Sequence, residues 1–567
     1  MALVLVAAAC TDRPAPLSDP SDAAPSQVAA SAHGVVVAGQ PLAAAAGAEM
    51  LERGGNAVDA AVAAAFALSV VEPSMSGLGG RVQMLVRMAD GRYAGIDGTT
   101  QAPATYDPDT APQASYGYPT VGVPGVPAGL LKALDQYGTL DRATVMAPAI
   151  RLAEEGFELL PGEATRHAAV ADRLVEFVGT RGTFLKPDST TWGAGERFVQ
   201  PDLARTLRLI SAEGADVFYR GEIAARIAAD IQANGGAVTE ASLAAYQALD
   251  SEVLTSSYRG LETAGLWLPS YGAITLEILN LLETLPVSEF DEDDWATAIT
   301  EAIRVAYLDR PNQRSLDDGR RLISKSYAAS RAAAMRLPQL TATASLPTGP
   351  APRPTPGHVR TAAQVDIEHT THLSAADGNG MMVALTQSLG PNMGSMVVTP
   401  GLGFLYAATL GGYLGRMEPR ERAQSHMSPT MLVQDGVPLL ALGAAGGGRI
   451  PTAIIAAVSR LVDQNLSLAD ALAAPRVAPD TPSMRIGGDP DAPTIVQAEI
   501  VEGLGFSAAV LDSLAARGFE IETITRTGAF GRIHAVRWHP DQGVWEGVAD
   551  PDWEGAAVTP ALAGAGR

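Results

Sequence analysis

A proline-rich stretch runs into two alternating segments joined by one tight turn, and this pattern limits the fold more than any other in the chain. Leu337 to Gly357 holds six prolines and predicts an exposed, extended linker. From Glu368 polar and apolar residues alternate, Asp377-Gly378-Asn379-Gly380 carries turn chemistry, and Met381 to Thr386 alternates again. Such spacing predicts a β-hairpin. Thr370-Thr371 opens its first strand, an odd place for structure alone but a sensible one for a nucleophile that becomes a new chain N-terminus. A free α-amine has a pKa of about 8 and takes the proton from its own residue's hydroxyl.

Composition narrows the class of function. The 567 residues are 47% apolar and 18% charged, which suits a packed globular protein. A net charge of −22, with no Lys or Arg cluster, argues against a nucleic-acid partner. Met1 to Cys10 is a short apolar run ending in small residues and the single cysteine, far too short to span a bilayer. It resembles the end of a bacterial lipoprotein signal with Cys10 as the acylated residue, although the basic leading segment is missing. An apolar tail with an incidental cysteine is the alternative. Residues 11–32, rich in Pro, Ala and Ser, read as a flexible tether, which places the protein on the periplasmic side of a bacterial envelope.

Helical and short strand patterns alternate from residue 33 to about 335. Asn56 to Val71 is the plainest helix, Ala-rich and apolar all round, hence buried on most sides. Further helices are expected at 147–156, 202–214, 221–234, 273–284 and 295–309, then at 451–464, 468–473 and 505–518. Late strands are expected between 521 and 547. The eight histidines lack metal-ligand spacing, so no metal is expected, and no cofactor motif is present. Gly446-Gly447-Gly448 sits between a strand and a helix. Alone it reads as a tight turn, yet such unencumbered amides also suit an oxyanion. Ser388, at the end of the second hairpin strand, offers a hydroxyl to face the start of the first; alone it reads as a surface residue.

Together these segments resemble the γ-glutamyltransferase family over most of residues 33–557. Thr370-Thr371-His372 with Ser374 and Asp377–Gly380 resembles the start of that family's small subunit. Gly54–Ala61, Glu72-Pro73, Ser76–Gly80, Asp309-Arg310, Met427–Thr430, Gly446–Arg449 and Asp550-Pro551 continue the likeness. The resemblance implies an α+β, four-layer αββα sandwich of the N-terminal-nucleophile hydrolase type, self-cleaved between His369 and Thr370. Residues 33–369 would form the large subunit and 370–567 the small catalytic one, paired as a heterodimer. It further implies Thr370 as nucleophile and α-amine base, Ser388 as its hydroxyl partner, and Gly446 and Gly447 as the oxyanion hole.

Substrate contacts depart from the family. Thr99 stands where the arginine for the substrate carboxylate is expected, and Gly412 and Thr409 replace the acidic residue and amide near its amine. Gly390 replaces an asparagine, and of two serines before Met427, Ser425 remains while the other is His426. Only twelve residues separate Gly412 from Ser425, too few for a long lid, so an open pocket is expected. Tyr406, Tyr413, Met393 and Phe404 would line it or serve as core. The leading reading is a self-processing amidohydrolase or acyltransferase acting on a small amide less zwitterionic than a γ-glutamyl peptide, as in cephalosporin-acylase-like members. A true γ-glutamyltransferase with altered contacts is the alternative within the class, and a non-catalytic envelope binding protein the alternative outside it.

Overall fold

The computed structural model describes residues 26–337, 369–480, 494–500, 505–525 and 530–561. Cys10 and nearly all of the proline-rich linker lie outside them. Two seven-stranded sheets form the centre. The first runs, edge to edge, through Ala556–Val558, Gly34–Ala38, His369–Asp377, Met382–Gly390, Arg81–Arg87, Tyr93–Gly98 and Leu249–Asp250. The second runs through Val28–Ser31, Val544–Ala549, Arg532–His539, Val437–Ala445, Thr430–Gln434, Leu261–Leu266 and Val253–Tyr258. Every pairing within both is antiparallel.

Side chains that alternate along these strands feed different layers. Val35, Val37, Leu85, Ala376, Ala384, Met431, Val536 and Trp545 meet between the sheets. Val36, Leu373, Ala375, Val383 and Leu385 point the other way, into a core with the helices Pro41–Glu52 and Ala57–Val71. On the far side, helices Gly272–Glu283, Glu292–Asp309 and Ile450–Val462 cover the second sheet. The result is the expected four-layer αββα sandwich.

All fifteen residues of Ala57–Val71 are buried, as its apolar circumference requires. Asn56 and Asp59 close a capping box at its start. The hairpin is tied to that same end: Asp377 accepts from the Ala57 amide at 3.0 Å, and from Asn379 and Met381 within its own turn. Farther along, Gln387 donates to the Ala65 carbonyl at 3.0 Å. Turn and helix therefore fix each other. Val28–Ser31 corrects one expectation, since this stretch assigned to the tether is an edge strand paired with Trp545–Val548.

Candidate active site

Thr370 and Ser388 face each other in the hairpin register, with an irregularity between His369 and Thr370. Both are buried, and their hydroxyl oxygens are 3.0 Å apart. Ser388 Oγ also donates to the His369 carbonyl at 2.9 Å and accepts from the Gly390 amide at 3.0 Å. A hydroxyl has one proton, so while Ser388 donates to His369 it must be Thr370 that donates to Ser388. The carbonyl of the bond between His369 and Thr370 is thus polarised beside the hydroxyl that follows it.

On the far side of the Thr370 backbone, Arg532 donates to the Thr370 carbonyl at 3.2 Å. Its guanidinium lies 3.9 Å over the Trp553 ring, and that of Arg166 lies 4.6 Å from the same ring. Burial lowers Arg532 to about 10, leaving it a cation at neutral pH. Glu72 lies behind, its carboxyl raised by burial, while Arg166 and His167 overcome burial and hold Glu163 well below the usual range. Burial and the cations Arg166 and Arg532 keep His369 neutral; its Nδ1 contacts Met75 sulfur at 3.2 Å. His372 points instead between the sheets, where its ring nitrogens meet the Thr386 and Ser374 hydroxyls at 2.8 and 3.1 Å. The two histidines therefore share no site.

Gly446 and Gly447 turn the strand Val437–Ala445 into the helix Ile450–Val462, with φ of 134° and 55°. A β-carbon on Gly446 would lie 2.7 Å from Gly531 Cα, so the turn requires glycine for space as well as conformation. Ala445 pairs with Arg532, which sets this turn beside the nucleophile's strand. Gly447, Thr370 and Ser388 line one cavity of about 280 Å³, together with Arg81, Tyr271, Arg310, Ser425 and His426. Amides at such a strand-to-helix turn suit the charge that develops on an attacked carbonyl.

The remaining recognition residues fall elsewhere. Thr99 is fully buried, folding its amide and hydroxyl back onto Asp97 at 2.8 and 2.6 Å, while Arg422 takes the other Asp97 oxygen at 3.1 Å. Thr409 donates to Thr100 in the interior, and the Gln113 side chain fills the space beside Gly412. None of Thr99, Thr409 and Gly412 is among the residues lining the cavity. Tyr406, Met393 and Phe404 belong to the core under the first sheet, leaving Tyr413 alone of the four aromatic or sulfur residues in the wall. The short segment after Gly412 is itself a wall: Tyr413, Leu414, Arg416, Met417, Glu421 and Gln424 all line the cavity. His426 packs 4.5 Å from the Tyr271 ring, and burial with Arg310 and Arg81 nearby lowers it to about 3, so it is neutral. Sequence reasoning missed Arg81 and Arg532. Neither sits in a motif with chemistry of its own, and only strand register brings them to Thr370.

The model of the family described as "Gamma-glutamyltranspeptidase" matches residues 43–559. The acylase ACY 1 proenzyme of Pseudomonas sp. (strain V22) is 33% identical, covering 95% of this chain and 96% of its own. The glutathione hydrolase proenzyme of Pseudomonas sp. (strain A14) is 34% identical over 78% of this chain and 81% of its own. Among solved structures, a cephalosporin acylase from Bacillus halodurans superposes with a TM-score of 0.80 at 27% identity, covering 96% of this chain and 99% of that one. With the hairpin, the two-sheet sandwich and the glycine turn in place, the chain belongs to the gamma-glutamyltranspeptidase family and is an enzyme of its N-terminal-nucleophile amidohydrolase and acyltransferase type.

Proposed function

We propose that the chain cuts itself between His369 and Thr370 and then uses Thr370 to take acyl groups from amides. The observation that carries this reading is the shared contact of Ser388 Oγ with the Thr370 hydroxyl and the His369 carbonyl. In the first reaction Thr370 Oγ1 attacks the His369 carbonyl carbon, the peptide C–N bond breaks, and the acyl group passes from nitrogen to oxygen. Water then hydrolyses the ester, leaving a carboxylate on His369 and a free amine on Thr370. Departure of the His369 carbonyl releases the Ser388 proton to donate to Thr370 Oγ1, so processing converts Ser388 from a carbonyl polariser into a partner of the nucleophile.

Toward substrate, the new α-amine takes the Thr370 hydroxyl proton as Oγ1 attacks the amide carbonyl. The Gly446 and Gly447 amides receive the oxyanion. The proton passes to the departing amine, and water or a second amine takes the acyl group from Thr370. Two of the relatives carry acylase names, and the family's carboxylate arginine is replaced by a buried Thr99 turned onto Asp97. Both support an acyl group less zwitterionic than γ-glutamyl. The small-residue run ending at Cys10 supports a lipid-anchored periplasmic location, which mass analysis of the mature N-terminus tests.

Denaturing electrophoresis and N-terminal sequencing of the purified protein test the chemistry. Two fragments are expected, the smaller beginning at Thr370. A chain that stays whole after prolonged incubation overturns the reading.

A further inference from the structure

Outside the two large sheets, Val477–Asp480, Ile495–Ile500 and Glu520–Thr525 form a small three-stranded one. Side chains alternate across it. Val477, Val496 and Ala498 enter the core shared with the helices over the second large sheet. The opposite face carries Ala478, Gln497 and Glu522, set side by side by the strand register, with Ile524 one step along. No bond is made or broken on this sheet, yet that face lies against the glycine turn.

Arg449 closes the turn, as the last residue before the helix Ile450–Val462. It donates to Gln497 Oε1 through Nε at 3.1 Å and through Nη2 at 2.6 Å. Gln497 is 3% exposed, and its amide nitrogen donates onward to Glu522 at 2.9 Å and Asp480 at 3.3 Å. An amide that gives its hydrogens to carboxylates presents a fixed, polarised oxygen to the guanidinium. Phe530 makes a second link, buried against Ala478 and Ile524 with the Arg449 guanidinium 5.8 Å from its ring centre. The next residue is Gly531, so close to the turn that a β-carbon on Gly446 would lie 2.7 Å from its α-carbon. After it comes Arg532, which holds the Thr370 carbonyl at 3.2 Å. Three consecutive residues thus touch the small sheet, the glycine turn and the nucleophile's strand in order.

We propose that Gln497 is a positioning residue for the oxyanion hole: by clamping Arg449 it fixes the direction of the Gly446 and Gly447 amides. The inference rests on the amidohydrolase reading for its rate readout but not for its structural readout. Gly447 lines the cavity with φ of 55°, and a glycine's freedom means that its surroundings must supply the restraint. Gly531 blocks movement behind Gly446, and the Arg449–Gln497 contact pins the exit from the turn. A donor aimed at developing charge works through direction and distance, so loosening it slows the chemical step without weakening substrate binding. Chain cleavage stands apart, because Ser388 holds the His369 carbonyl. The brace acts on turnover and leaves processing alone.

Gln497→Met, which keeps the side chain's length and removes the acceptor, tests this. Cleavage into two fragments at the wild-type rate is expected, with kcat about tenfold lower and KM within about twofold. The rate is read on whichever of γ-glutamyl-, glutaryl- and hexanoyl-p-nitroanilide the wild type turns over fastest. Adding Gln497→Met to Arg449→Met should cost no further rate, since both remove one contact. In hydrogen exchange, the turn 446–449 should exchange about tenfold faster in Q497M while the hairpin 370–390 keeps the wild-type rate. Should Q497M fail to fold, Arg449→Lys keeps a single donor and should give the same pattern at about threefold. Unchanged kcat, a loss carried by KM, cleavage slowed as much as turnover, additive losses in the double variant, or unchanged exchange at the turn overturns the proposal. If the wild type hydrolyses none of the three anilides, exchange decides: a faster turn in Q497M upholds the brace and overturns the amidohydrolase reading instead.

Discussion

The hairpin and the wall that faces it are built in opposite ways. Thr370 and Ser388 come from two adjacent strands joined by one turn, anchored through Asp377 and Gln387 to a single buried helix. The wall gathers Arg81, Tyr271, Arg310 and the run from Tyr413 to His426 from four separate stretches of chain. A local, doubly anchored unit keeps its geometry through many substitutions elsewhere. A wall assembled from distant segments has no such single anchor, and each of its side chains is set by a different element.

The largest effect tests the hairpin. Thr370→Ala should abolish both chain cleavage and turnover, whereas Thr370→Ser should retain both at reduced rates, as gels and an anilide assay would show. Ser388→Ala leaves the nucleophile but removes the hydroxyl that touches it and the His369 carbonyl. It is expected to slow fragment formation and turnover by about 100-fold, the scale of one positioned hydrogen-bonding group. Equal rates in S388A and wild type would show that the contact is incidental.

Arg532→Gln should slow processing by about tenfold, since a charge-assisted hydrogen bond to the Thr370 carbonyl is weakened to a neutral one. It carries a second readout. A nearby cation favours the neutral form of the α-amine, so activity should fall on the acid side of a pKa below the usual value of about 8. Replacing Arg532 removes that cation, and the acid limb of kcat/KM should move to higher pH. A purely structural arginine would lower the rate without moving the limb. The smallest effect belongs to the wall: His426→Gln exchanges one neutral polar group for another and should leave the limb where it is.

The parts legible in the sequence are those whose signal is local. Asn56–Val71 was readable because an almost uniformly apolar circumference points to a buried helix, and the hairpin because Asp377–Gly380 spells its own turn. The glycine turn was visible as glycine, though only Gly531 behind Gly446 shows that space as well as φ demands it. Contacts across strands left no local mark. Arg81, eleven residues before Arg92 and unremarkable in its own strand, gains meaning from Ser388 more than three hundred residues away. Thr99 misled for the reverse reason: its position in the chain suggested a pocket, but its short side chain turns back to Asp97 and Arg422 fills the ion pair. The edge strand Val28–Ser31 was hidden because its small residues, Val-Ala-Ala-Ser, match the small-residue composition of a tether.

Each sheet contains strands from both sides of the bond between His369 and Thr370. In the first, Gly34–Ala38 lies between Ala556–Val558 and the hairpin; in the second, four strands from beyond that bond are flanked by Val28–Ser31 and Leu261–Leu266. A break in the covalent chain there severs no layer and opens no seam. The two pieces would melt as one cooperative body and resist separation by dilution, because parting them means dismantling both sheets at once.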